Sequence, residues 1–230
     1  HINIAINKEY IEIQKYAFRK YKIKTVENKH THLVPEELEQ LERLSLTGKH
    51  MKLQKSLDAF LFCCYAGMRY SDFTNLSKKN IVDINQETWL IYKSVKTGTE
   101  VRLPLYLLFA GKGIVILNKY RNNLEDFFRL RDNSNINKDL IIIAKLAGLS
   151  KKISFHTARH TNATLLIYNG VNITTVQKLL GHKSVKTTQV YTNIMDMTIV
   201  HDLEKMKQAA LGIKTVSYTH LRAHETLSDL

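Results

Sequence analysis

Apolar residues in this chain recur mostly three and four apart, and a glycine ends most of these runs, so helix dominates what it can fold into. Leu53, Leu57, Phe60, Leu61 and Cys64 form one such stripe, which stops at Gly67. Ile136 to Ala147 reads the same way and stops at Gly148. Another helix follows a short extended segment, Lys152 to Phe155, and runs to Tyr168 before Asn169-Gly170. A further helix from Thr174 or Thr175 to Leu180 is closed by Gly181, and Thr187 to Asn193 reads as one more. Upstream, Pro35-Glu36-Glu37-Leu38 opens a helix, because proline suits the first helical position and carboxylates suit the positive end of the dipole. Leu38, Leu41 and Leu44 share its apolar face. Strand-forming residues gather at Trp89-Leu90-Ile91-Tyr92 and Glu100-Val101-Arg102-Leu103, on either side of the hairpin signal Thr97-Gly98. Asp132 to Asn137 is an asparagine-rich stretch expected to be loop. The pattern predicts an α+β chain, predominantly α-helical, with one small antiparallel sheet.

The 230 residues allow one to two domains, and 44% apolar with 24% charged residues is ordinary for a globular chain, which argues against disorder. No apolar run approaches the roughly 20 residues of a membrane span; the longest candidate, Asp139 to Leu149, is broken by Lys145. No secretory signal opens the sequence. Cys63 and Cys64 are adjacent within a helical pattern and read as small buried apolar groups in a reducing compartment. Lys and Arg number 34 against 21 Asp and Glu, a net charge of +13, which implies a polyanionic partner. Charge alone does not separate nucleic acid from a ribosome or a lipid surface.

Three short segments carry chemistry: His156-Thr157-Ala158-Arg159-His160, then Leu179-Leu180-Gly181-His182-Lys183-Ser184, then Val190-Tyr191. Two more belong with them, Ala66-Gly67-Met68-Arg69-Tyr70-Ser71-Asp72 and Val95-Lys96-Thr97-Gly98. A phosphodiester under attack places negative charge on its non-bridging oxygens. Where no divalent ion carries that charge, guanidinium groups must, since they stay protonated and bind two oxygens in a planar fork. His156 and Arg159, three apart, share one helical face. Taken singly, each residue has a plainer reading. An arginine at a helix turn is often a surface ion pair, Gly181-His182 also reads as a helix C-cap with a solvent-facing imidazole, and a hairpin lysine is commonly just solvated. The ten histidines are scattered, Cys63-Cys64 lacks ligand spacing, and no glycine-rich phosphate loop is present, so no metal or nucleotide cofactor is expected.

Together these segments resemble the tyrosine recombinase (phage integrase) family, across about Leu33 to Lys205. The spacings from Arg159 to His182 and from His182 to Tyr191 match the family closely. The resemblance implies a tyrosine-recombinase catalytic fold and a site-specific DNA recombinase or integrase of a mobile element, acting on double-stranded DNA without metal or ATP. Tyr191 would be the nucleophile, forming a 3′-phosphotyrosyl bond whose retained energy drives religation. Arg69 and Arg159 would hold the phosphate oxygens. His156 would assist proton removal from the tyrosine and contact the phosphate, and His182 would donate to a non-bridging oxygen. Lys96, with Lys93 as a nearby competitor, would protonate the leaving 5′-oxygen. Asp72 is expected to orient a neighbour. The resemblance further implies a homo-tetramer on DNA, a C-terminal helix docking on a neighbouring protomer, and a cytoplasmic, nucleoid-associated place in a bacterium. A type IB topoisomerase or a non-catalytic DNA-binding fragment are the alternatives. The Leu-Leu-Gly-His-Lys-Ser and Ala-Arg-His-Thr contexts favour the recombinase.

This gives an expected organisation in four parts. Residues 1–30 would be the last helix of an N-terminal core-binding domain, with Ile2, Ile4, Ile6, Tyr10 and Ile11, plus a basic linker. In that linker Lys20, Lys22 and Lys24 alternate with Tyr21 and Ile23, which suits either a strap across phosphates or a solvated connection. Residues 31–200 would be the catalytic domain and 201–215 the C-terminal helix. One back-translation of Val216 to Thr226 spells a transposon-based library adapter, so 216–230 is expected to be non-native translated adapter sequence. Its removal takes away only Arg222, Glu225 and Asp229, and the basic excess survives.

Overall fold

The structure is a computed structural model that describes residues 2–15, 31–191 and 206–207. The chain divides into two units, 1–30 and 31–230. The first holds α1 (Ile2–Asn7) and a single 3-10 turn, Ile13–Lys15. The basic linker, the expected C-terminal helix apart from Met206 and Lys207, and the suspected adapter tail lie outside the described residues.

The second unit begins with α2 (Pro35–Glu42), whose first turn is fixed where the Glu37 carboxylate accepts the Val34 N–H at 3.0 Å. Next comes α3 (Gln54–Ala66), buried from Ser56 through Ala66. A helix covered on all sides is a core helix, and the rest of the unit is arranged about it. Its one carboxylate, Asp58, is compensated by Lys119 Nζ at 2.9 Å and the Tyr120 hydroxyl at 2.8 Å. Gly67 ends α3 in the left-handed region, at φ 66°. A short helix, α4 (Tyr70–Phe73), follows directly.

Three antiparallel strands come next, β1 (Ile81–Ile84), β2 (Glu87–Lys93) and β3 (Glu100–Pro104), in the order β1-β2-β3. Leu90 faces Leu103 and Tyr92 faces Val101, and all four are buried. Strand β1 was not anticipated. It joins β2 through Asn85 and Gln86, both at positive φ, a primed hairpin turn made without the glycine that normally announces one.

The remaining helices are α5 (Lys112–Lys119), α6 (Leu124–Phe128), α7 (Asn133–Leu146), α8 (Phe155–Tyr168), α9 (Ile173–Leu180) and α10 (Lys186–Gln189). Phe62, Phe73, Phe127, Phe128 and Phe155 meet edge-on or tilted between α3, α4, α6 and α8. Asn162 of α8 donates to the Cys64 carbonyl of α3 at 2.9 Å, and Thr161 accepts the Leu33 N–H at 2.9 Å. These bonds lock the site-bearing helix to the core.

The sequence reading of three segments needs correction. The asparagine-rich stretch is helix, not loop, because Asp132 caps α7 by accepting the Asn135 N–H at 3.1 Å. Phe155 opens α8 instead of ending an extended segment, since Ser154 and Thr157 form the cap one residue earlier. The helix expected over Thr187 to Asn193 is only Lys186–Gln189 within the described residues, so Tyr191 follows the helix and is not carried on it. The architecture is otherwise as expected, mostly helical with one small antiparallel sheet. Among the described residues no helix is long and apolar enough to cross a membrane.

Candidate active site

Arg69 is the extended residue between Gly67 and α4. Its Nη1 lies 3.2 Å from Ser94 Oγ and 3.5 Å from the Asp72 carboxylate, one turn along α4. Asp72 is buried and also accepts the Val95 N–H at 2.8 Å. It therefore couples the arginine to the β2–β3 turn that carries Lys96. Lys96 is exposed at that turn, and its neighbour Thr97 donates to the Gly181 carbonyl at 3.2 Å. The hairpin tip is thus tied to the residue preceding His182.

Arg159 is 1% exposed, which is exceptional for an arginine. Its Nη1 donates to the Gly67 carbonyl and its Nη2 to the Leu180 carbonyl, both at 2.7 Å. Those oxygens lie at the C-terminal ends of α3 and α9, the negative ends of two helix dipoles, which offsets the cost of burying a cation. Burial and then the nearby Arg69 charge lower its pKa to about 10, so it remains a cation at neutral pH. The close packing needs glycine at two places. A Cβ on Gly67 would stand 2.5 Å from Asn162 Oδ1, and one on Gly181 would stand 2.6 Å from Val101 Cγ2.

His182 is buried, with Nδ1 2.9 Å from the Thr188 hydroxyl. Burial lowers its pKa to about 3, and the charges of Arg159, Arg69, His156 and Lys96 push the same way. The imidazole is neutral and turned inward, which rules out a solvent-facing cap. Thr188 also accepts the Tyr191 N–H at its carbonyl, at 3.1 Å, so one buried residue sets both His182 and the tyrosine.

Tyr191 is 4% exposed, and its hydroxyl lies 3.0 Å from His160 Nδ1. Burial raises the hydroxyl pKa, against the opposing pull of the Arg159 and Arg69 charges. His156 is exposed at the start of α8, and its ring meets that of His160 edge-on at 4.5 Å between centroids. The structure thus gathers Arg69, Arg159, His182 and Tyr191 into one electrostatic neighbourhood, with Lys96 and His156 on its exposed side. Two residues were not singled out from sequence, Thr188 and His160. His160 had a signal, since it lies one helical turn from His156 and beside Arg159. Among the described residues no group of His, Cys, Asp and Glu is placed to hold a metal ion. Cys63 and Cys64 are free, buried thiols whose pKa values burial raises.

Solved structures share this fold. A lambda integrase tetramer bound to a Holliday junction superposes with a TM-score of 0.64 at 19% identity, covering 83% of this chain and 55% of that one. The XerA recombinase gives 0.57 at 22% identity, covering 90% and 72%. The domain is a tyrosine-recombinase catalytic fold. Residues 31–197 match the phage integrase family, and the chain belongs to that family. A tyrosine recombinase of Pseudothermotoga lettingae is 30% identical over 181 residues, 76% of this chain and 60% of the relative. XerC of Rickettsia prowazekii is 28% identical over 184 residues, 76% and 57%. The chain thus spans less than two thirds of the length of these relatives.

Proposed function

We propose that this chain is the catalytic part of a site-specific DNA recombinase that cuts and rejoins double-stranded DNA through a 3′-phosphotyrosyl intermediate. The observation that carries the reading is the setting of Tyr191: a buried hydroxyl on an imidazole nitrogen, under the charges of two arginines held by backbone and carboxylate groups. Arg69 and Arg159 supply fixed positive charge for the non-bridging oxygens as the phosphorus becomes five-coordinate. His182 is neutral, and in the tautomer whose Nδ1 accepts the Thr188 hydroxyl its Nε2 keeps a proton to donate to the same phosphate. Lys96, on a turn anchored to both Asp72 and Gly181, delivers the proton to the departing 5′-oxygen. His156 touches the phosphate from the exposed side. The phosphotyrosine stores the bond energy, so rejoining needs no nucleotide, and this residue set calls for no metal.

The net charge of +13 suits a DNA partner. The lambda integrase tetramer bound to a Holliday junction supports a homo-tetramer on DNA for this chain. The docking of a C-terminal helix on a neighbour rests on the family resemblance alone. A cytoplasmic, nucleoid-associated location follows from the same reading. The deciding experiment is covalent trapping. Labelled DNA from the ends of the protein's own element, nicked beside the candidate cleavage site, is incubated with wild type and with Tyr191→Phe. The expected result is a denaturation-resistant protein–DNA band that the variant loses. Measurable DNA binding with no band in wild type would overturn the reading in favour of a DNA-binding fragment.

A further inference from the structure

Tyr191 cannot attack phosphorus efficiently as a phenol, because burial makes its hydroxyl a weaker acid than a free tyrosine. A base must take the proton as the bond to phosphorus forms. The family resemblance points to His156 for this, yet the imidazole on the hydroxyl belongs to another residue. His160 is 7% exposed and places Nδ1 3.0 Å from the Tyr191 oxygen, within the reach a general base needs. The rings of these two residues are also in contact, with centroids 5.5 Å apart, so the pair is packed as well as bonded. Water is largely excluded from both.

We propose that His160 is the general base that deprotonates Tyr191, leaving His156 to the phosphate; this deepens the recombinase reading and rests on it. In the cleavage step a lone pair of the tyrosine oxygen forms the bond to phosphorus while the P–O5′ bond breaks. The tyrosine proton moves to His160 Nδ1, and the 5′-oxygen leaves with its electron pair and takes a proton from Lys96. Religation is the reverse: the 5′-hydroxyl attacks, and the departing tyrosine recovers its proton from His160. The step requires the tautomer with hydrogen on Nε2, which is the one that accepts the Tyr191 hydroxyl at Nδ1.

The test separates proton transfer from mere positioning. In His160→Asn the amide oxygen stands near the place of Nδ1 and still accepts the hydroxyl, but it takes up no proton. Adduct formation is timed for wild type, His160→Asn, His160→Ala and Lys96→Ala on the nicked DNA, and on the same DNA with sulfur replacing the scissile 5′-oxygen. Both His160 variants are expected to lose about 10²- to 10⁴-fold in rate, with DNA affinity close to wild type. His160→Asn, which keeps the bond to the tyrosine hydroxyl, is expected to melt near wild type, and His160→Ala, which leaves that hydroxyl unpaired, to melt lower. Sulfur, which leaves without a proton, is expected to restore Lys96→Ala and not the His160 variants. Near-wild-type rates in His160→Asn would overturn the proposal and make His160 a positioning residue. Restoration of His160→Ala by the sulfur substrate would overturn it by placing His160 on the leaving-group side. Absence of any Tyr191-dependent adduct in wild type would instead strike the recombinase reading itself.

Discussion

The hydroxyl of Thr188 sits 2.9 Å from Nδ1 of His182. Thr188 is fully buried, and its carbonyl accepts the backbone N–H of Tyr191. Its two polar groups therefore set the orientation of an imidazole and the height of the chain that carries the tyrosine. Thr188→Val keeps the volume and removes only the hydroxyl, which leaves a buried ring nitrogen without its partner. Loss of that bond should cost about 1–3 kcal/mol of stability. A misdirected imidazole should lower the rate of adduct formation on the order of a hundredfold. DNA affinity should stay within about twofold, because the variant removes no positive charge. Urea unfolding, filter binding and timed trapping check the three parts.

His182 should shape the acid stability of the protein in a defined direction. Its folded pKa is about 3, below the unfolded value of roughly 6.5. Between those two values the unfolded chain binds the extra proton and the folded chain does not. The stability linked to His182 is therefore fully present above about pH 6.5 and is lost as the pH falls toward 3. Urea midpoints measured from pH 7 to pH 4 should fall less steeply in His182→Gln than in wild type. Equal slopes would show that the imidazole is not held neutral.

The sequence carried the helices whose apolar stripes ended at glycine, because a left-handed C-cap and a 3.6-residue period are both written locally. It named the candidate site residues as types, since the flanking motifs are contiguous. What it did not carry were relations that exist only once distant segments meet. The burial of Arg159 on the ends of α3 and α9 joins residues 67, 159 and 180. The Tyr191–His160 contact joins α8 to the segment after α10. Strand β1 was missed for a local reason, because Asn85-Gln86 adopts positive φ without glycine. The start of α7 was missed because an asparagine-rich composition outweighed a single capping aspartate.

Gly67→Ala should be among the most damaging single-methyl changes in the domain. Its backbone is at φ +66°, and the new methyl would meet Asn162 Oδ1 at 2.5 Å and Leu180 Cδ2 at 2.9 Å. Conformational strain of this kind costs about 1–3 kcal/mol before any clash is counted. The carbonyl of the same residue holds Arg159, so relief of the clash moves the guanidinium as well. Chemical denaturation should show a loss of about 2 kcal/mol or more. Trapping should show a rate defect that persists at temperatures where the variant remains folded. A variant with wild-type stability and rate would mean that Gly67 is not under the constraint its geometry implies.

Lys96 and Lys93 can be told apart by how each is held. Lys93 ends β2 opposite Glu100, on an exposed strand position. Lys96 lies in the turn pinned by Asp72 at Val95 and by Gly181 at Thr97, and its charge acts on His182. Lys96 thus sits in a turn bonded on both sides to the site, with its charge felt at His182, while Lys93 faces Glu100 across the strand pair. Lys93→Ala should therefore change adduct formation by less than about threefold, since an exposed charge facing a carboxylate across the strand pair is well screened. Lys96→Ala should slow it by about 10²- to 10⁴-fold, the range of a lost general acid. Timed trapping of the two variants beside wild type decides the matter. The reverse ranking would show that the turn presents Lys93, and not Lys96, to the leaving oxygen.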